Sequence, residues 1–129
     1  MAGRKVVLSV GQCRPDQAAI THYLNSHFDV EVLTADLKET ALRKISDRTV
    51  DLVLVNRKMD EDGSDGMEII AEILQQDEPR PKVMLVSNYP DWQQKAIQMG
   101  AAPGFGKAEL NSAHTRQRLA NALENGAQG

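Results

Sequence analysis

Residues 51–60 read DLVLVNRKMD. Leu52, Val53, Leu54 and Val55 are apolar without a polar alternation, and the run stops at Asn56 before the chain turns polar and acidic. A strand apolar on both faces belongs inside a parallel sheet, covered by helices above and below. The same kind of run recurs at VVLSV (6–10) and KVMLVS (82–87). FDVEVLT (28–34) alternates weakly, as a strand nearer an edge would, and a short weak strand is expected around 101–106.

Helical spacing fills the gaps between these runs. Ile20, Leu24 and His27 follow Pro15, which a first helical turn accommodates. Asp36 with Glu39 is much like a capping box, ahead of the stripe Leu37, Ala41 and Ile45. Met67, Ile70, Ala71 and Leu74 mark a third helix. Trp92, Ala96 and Met99 mark a fourth, with Gly100 as its C′ residue. Leu110, Leu119, Ala120 and Leu123 support a last one. Strand–helix alternation predicts an α/β fold: a flavodoxin-like, five-stranded parallel sheet of order 2-1-3-4-5 with helices on both faces. That order puts the three most apolar runs in the three central places.

A chain of 129 residues fits one domain, expected here over 1–124 with a flexible tail at 125–129. Its net charge of −3 gives no electrostatic reason for a nucleic-acid partner. No apolar run approaches the ~20 residues of a membrane helix, and MAGRKVVLSV lacks the features of a signal peptide. A single cysteine excludes an internal disulfide framework and suits a reducing cytoplasm.

Ligands of such sheets sit beyond the carboxyl ends of the strands, at the switch between the first and third. The sequence delivers Gly11, Gln12 and Cys13 there after strand one, and Asn56 after strand three. Ser87 and Asn88 follow strand four, and Gly106 and Lys107 follow strand five. Other patterns are weaker. DEDGSD (60–65) with Glu68 would need Gly at the sixth place and an acid at the twelfth to be an EF-hand loop, and those places hold Asp65 and Ala71. A weak loop-borne divalent site stands against a plainly solvated acidic run. AAPGFGKA (101–108) resembles a phosphate-cradling loop but has Ala101 and Ala108 where Gly and Ser or Thr are needed. Cys13 precedes a helix, where a thiol can be reactive, but position 19 is Ala, not the Arg of a phosphatase loop. His22, His27 and His114 have no metal-ligand companions at suitable spacing, and His27 is expected half-buried in packing. Tyr89 and Trp92 open the fourth helix, either as interface anchors or, for Trp92, as core packing against Met99.

Taken in order, VVLSVGQ, DLVLVNRKMDEDGSDGMEII, PKVMLVSN and GAAPGFGKAEL resemble a bacterial response-regulator receiver domain (CheY-like) over about residues 4–124. The resemblance implies two acids after strand one that hold Mg²⁺, a phosphorylated Asp after strand three, and a Ser or Thr and a Lys that sense the phosphoryl group. Ser87 and Lys107 match. Asn56 stands at the phosphoacceptor position, Gly11 and Gln12 at the acid pair, and Gly104 where a switching Tyr or Phe is usual. Asp60 and Ala108 replace two usual prolines, and the loop from Asn56 to Gly66 is about two residues longer than the family pattern.

An amide has no anionic oxygen with which to attack a phosphodonor, and Mg²⁺ binds through charged oxygens. The residues therefore predict a pseudo-receiver with no metal and no cofactor, in a neutral pocket where Lys107 and Ser87 bond to the Asn56 amide. The expected function is signal transduction of the two-component (phosphorelay) type by protein–protein contact, without Asp phosphorylation or enzymatic activity. The alternatives are a phosphorylation switch with an unconventional acceptor, a small-ligand sensor, or, less favoured, a small enzyme. Expected partners are signalling proteins. The resemblance implies that such a partner, or a second copy, uses the face of helix four, strand five and helix five.

Overall fold

The apolar runs form five parallel strands: β1 (Lys5–Val10), β2 (Val30–Ala35), β3 (Leu52–Asn56), β4 (Lys82–Val86) and β5 (Ala102–Phe105), in the order β2-β1-β3-β4-β5. The structure, a computed structural model, describes residues 4–124. The connecting helices are α1 (Arg14–His27), α2 (Lys38–Asp47), α3 (Gly66–Leu74), α4 (Pro90–Met99) and α5 (Ala113–Glu124), with a short 3₁₀ turn at Lys107–Glu109. The expected fold class and strand order are those observed. The expected tail at 125–129 lies outside the described residues.

Strand pleating divides the sheet's side chains between two cores. Leu8, Val10, Val53, Val55 and Leu85 face one way, against Ile69, Ile70 and Ile73 of α3, Ala41 of α2 and Ala96 of α4. Val7, Leu52, Leu54 and Met84 face the other, against Ile20 and Leu24 of α1 and Leu119 and Leu123 of α5. Leu52 to Val55 are fully buried, which is why residues 52–55 show no polar alternation. Val7–Val10 of β1 register against Leu52–Val55, so Gly11 and Asn56 leave the sheet side by side.

Some local expectations shift. The second strand starts at Val30, because Phe28 is spent ending α1, its N–H donating to Leu24 O at 2.9 Å. Asp36 does not cap α2. Leu37 holds the N-cap position, and no side chain caps this end. His27 is exposed, not half-buried, and the buried aromatic of that turn is Tyr23, its ring centroid 4.4 Å from that of His27. Leu110 falls in the turn before α5, and Ala122 rather than Ala120 is buried along that helix. Gly100 does end α4 in the left-handed region, at φ 115°.

The edge strand β5 is held from both sides by side chains. Gln93 of α4 donates through Nε2 to Leu85 O (2.9 Å), Ser87 O (3.2 Å) and Phe105 O (3.4 Å), and its Oε1 accepts the Gly104 N–H at 3.3 Å. Arg118 of α5 donates to Gly104 O at 2.6 Å. Gly104 fits between them because it lacks a side chain: a Cβ there would lie 2.0 Å from Leu85 O. Gly104→Ala is expected to cost about 1–3 kcal/mol, as overpacking does, measured as a lower urea midpoint with unchanged slope.

Candidate functional site at the carboxyl ends of the strands

Asn56 ends β3 with its carboxamide turned back on the chain. Nδ2 donates to Gly11 O at 2.9 Å and to Lys58 O at 2.7 Å, and Oδ1 accepts the Arg57 N–H at 3.1 Å. Both partners of Nδ2 are carbonyls, which only accept, so the amide's orientation is fixed by chemistry. A carboxylate of the same shape would press an anionic oxygen against two carbonyl lone pairs.

Gly11 is left-handed at φ 79°, and a Cβ on it would lie 2.5 Å from Sδ and Cε of Met59. Met59 is 1% exposed and occupies the space beside Gly11. The loop that carries Met59 is closed tightly. The Asp60 N–H donates to Gly11 O, Met59 N–H to Ser64 O, Gly63 N–H to Met59 O and Gly66 N–H to Arg57 O. Gly66 is needed at the end of this clasp, since a Cβ would fall 1.9 Å from Asn56 O. Gln12 is buried, its Nε2 reaching only Val10 O at 3.4 Å. Its Oε1 is buried without a partner among the described residues.

Ser87 and Lys107 stand at the same end of the sheet as Asn56, but neither bonds to its amide. The Asn56 Oδ1 accepts the Arg57 N–H instead. Ser87 Oγ accepts the Tyr89 N–H at 3.2 Å. Lys107 Nζ lies 2.7 Å from Asp16 Oδ2 in the first turn of α1. A carboxylate within reach outcompetes a neutral amide for an ammonium. The Lys107 ammonium, then the Cys13 Sγ–H at 3.1 Å, hold the Asp16 carboxyl below the usual carboxylate range.

Two acids of the 60–65 loop, Asp62 and Asp65, have local work. Asp65 caps α3, accepting the Met67 N–H at 2.9 Å, and lies 3.4 Å from Arg57. Asp62 accepts the Ser64 N–H at 2.9 Å, and Ser64 lowers its carboxyl below the ordinary value, through its hydroxyl first and its backbone second. No three His, Cys, Asp or Glu side chains gather as a metal-ligand set among the described residues.

A cavity of about 300 Å³ opens between the ends of β3 and β4 and the start of α4. Asn56, Ser87 and Asn88 supply its polar lining, Arg57, Lys58 and Lys107 its charges, and Tyr89 and Trp92 its aromatic walls. Gly11 and Gln12 do not line it. Trp92 is half-buried, with the Arg57 guanidinium 3.8 Å and the Lys95 ammonium 4.5 Å from its ring centroid. Met99, once its expected packing partner, is 40% exposed and outside both cores. Tyr89 is 68% exposed at the mouth. Met59, Asp16, Arg57 and Gln93 take part at this end of the sheet without having stood out in the sequence. Only Asp16 had a signal, being an acid in a first helical turn three residues after Cys13.

A carboxyl held low in the folded state stabilises at pH values above its ordinary range, and that contribution is lost as pH falls through the folded-state value. Asp16→Asn should therefore cost about 0.2–1 kcal/mol at pH 7, the scale of a part-exposed pair. The gap to the parent should close as pH drops below about 4, checked by urea titrations across pH 2.5–7.

The sequence matches the response regulator receiver domain model over residues 9–125. No curated protein matches it. Among solved structures, the signal receiver domain of a putative Luxo repressor protein from Vibrio parahaemolyticus is 19% identical at a TM-score of 0.82, covering 97% of this chain and 94% of that one. The signal receiver domain of an HD domain-containing protein from Pseudomonas fluorescens is 22% identical at 0.78, covering 99% and 93%. NtrX from Brucella abortus is 25% identical at 0.78 over 95% of this chain, which spans 28% of NtrX. The sheet order and the family match agree: the chain belongs to the response regulator receiver domain family of signalling domains.

Proposed function

We propose that this receiver signals in the cytoplasm by protein–protein contact, without Asp phosphorylation and without a divalent ion. The direction of the Asn56 carboxamide carries this reading. Asn56 stands at the family's phosphoacceptor position, and its Nδ2 is committed to two carbonyls, at 2.9 and 2.7 Å. The family's Mg²⁺ does not fit the residues present. Gly11 and Gln12 bring no charge, Met59 occupies the space beside Gly11, and Mg²⁺ is held through carboxylate oxygens.

The retained residues support the same reading. Ser87 and Lys107 stand where family members sense a phosphoryl group, but here they are engaged with Tyr89 and Asp16. At the switch-aromatic position Gly104 has no side chain to turn, and Gln93 fixes α4 to β4 and β5 instead. A surface over α4, β5 and α5 is thus held in one shape, with Tyr89 and Ile97 exposed along α4 to meet a signalling partner or a second copy.

Incubation with acetyl phosphate, or with beryllofluoride and Mg²⁺, is expected to give no mass gain and no amide NMR shifts at Asn56, Ser87 or Lys107. A stable acyl phosphate, or Mg²⁺-dependent shifts there, would overturn the reading. Restoring the acid alone should not restore chemistry. Asn56→Asp is expected to lose about 1–3 kcal/mol of stability, because the donors to Gly11 O and Lys58 O disappear, and to remain unphosphorylated under the same conditions.

A further inference from the structure

We propose that the cavity beside Asn56 binds a small planar anion, an aromatic or heteroaromatic carboxylate, noncovalently. The proposal rests on the reading above that no phosphoryl group or metal claims this end of the sheet.

Charge makes the first part of the case. The chain as a whole carries −3, yet the cavity is lined by three cations and no carboxylate. Lys107 is matched by Asp16 at 2.7 Å. Arg57 is matched only loosely, by Asp65 at 3.4 Å, and its buried Nε has no acceptor among the described residues. Lys58, and Lys95 on the Trp92 ring, have no carboxylate partner among the described residues. Asp60 and Glu61 in the neighbouring loop and Asp91 in the first turn of α4 are exposed and do not line the cavity. A local excess of positive charge on an acidic molecule draws anions to that spot. The larger groove at the opposite end of the sheet also carries cations, Lys5, Arg48, Arg80 and Lys82, but two carboxylates, Asp51 and Glu78, line it with them, and Arg48 pairs with Glu31 at 2.9 Å and Arg80 with Glu78 at 2.8 Å.

Hydrogen-bonding capacity points the same way. The Asn56 donors are used internally, but those of the cavity's other polar side chains are not. Asn88 spends its Oδ1 on the Ala108 N–H, leaving Nδ2 to donate. Ser87 accepts from the Tyr89 N–H, leaving its O–H to donate. The start of α4 has no side-chain cap, so its dipole adds to the preference for negative charge. A cavity that offers donors and cations selects an acceptor-rich anion.

Shape supplies the planarity. The Arg57 guanidinium lies 3.8 Å from the Trp92 centroid, and Tyr89 is 68% exposed at the mouth. The flat groups of Arg57, Tyr89 and Trp92 in the lining suit a ring, and covering Tyr89 removes apolar surface from water. A volume of about 300 Å³ is at the lower limit for small-molecule sites, enough for one or two fused rings. Such a ligand would bridge the β3–α3 loop, the start of α4 and Lys107, and so bias the surface that the proposed function uses.

The test is a titration of ¹⁵N-labelled protein with 2-naphthoate, without phosphodonor or Mg²⁺, followed at the backbone amides and the Trp92 indole. Trp92 is the sole tryptophan, so its signal is unambiguous. Saturable shifts are expected at Lys58, Ser87, Asn88, Tyr89 and Trp92. The uncharged analogue 2-naphthamide, and the Lys58→Glu variant with 2-naphthoate, should each bind about tenfold more weakly. Inorganic phosphate should bind more weakly than 2-naphthoate. Lys95→Glu provides a second charge reversal if Lys58→Glu loses its native spectrum. Absence of saturation, equal binding of naphthamide and naphthoate, phosphate binding as tight as naphthoate, or shifts centred elsewhere would overturn the proposal. Since the titration contains no phosphodonor, its failure leaves the unphosphorylated reading standing. A mass gain with acetyl phosphate would sink that reading by a separate measurement.

Discussion

The carbonyl oxygen of Gly11 accepts two hydrogen bonds, one from Nδ2 of Asn56 and one from the backbone N–H of Asp60. Those two bonds tie the end of β1 to the end of β3 and fold the following loop back over both. Once the loop is closed, Met59 is driven into the interior beside Gly11, and Gly11 can carry no side chain. The same closure brings Gly66 against the Asn56 carbonyl and starts α3 under the Asp65 cap. An amide serves at this junction because it donates twice and carries no charge.

A neutral junction has an energetic consequence. Clustered carboxylates at the end of a buried sheet repel one another and lose hydration, a cost that usually needs a cation to offset it. Here the ends of β1 and β3 present Gly, Gln and Asn. The remaining strain is of a different kind: Ser9 Oγ and Gln12 Oε1 are buried without partners among the described residues. With no acid cluster to neutralise, Lys107 turns to Asp16 on α1, and Arg57 turns to Trp92 and Asp65. The cations stay near the pocket while the acids that pair with them stand outside its lining.

Sheet order was legible in the sequence because burial on both faces leaves a plain mark: the unbroken runs around Leu54, Val7 and Met84 could only be central. Edges were less legible. β2 is covered less completely, and its pattern did not say whether Phe28 belonged to the strand or to the helix end. Asp36 had the composition of a cap but not the backbone position, which the chain gives to Leu37. The residues gathered at the site were readable one at a time, since each follows a strand. Their bonding was not. Whether Lys107 reaches Asn56 or Asp16 depends on how closely α1 approaches the β5–α5 turn, and whether Trp92 meets Met99 or Arg57 depends on how a long loop folds. These are distances between elements, and neither spacing nor composition encodes them locally.

Gln93 spans α4, β4 and β5 with one side chain, and Arg118 locks α5 to the same glycine from the other flank. An outer face tied down at so many points has little configurational freedom left to surrender when something covers it. Association there would carry a small ordering penalty, and the encounter would not wait on a slow rearrangement of the receiver.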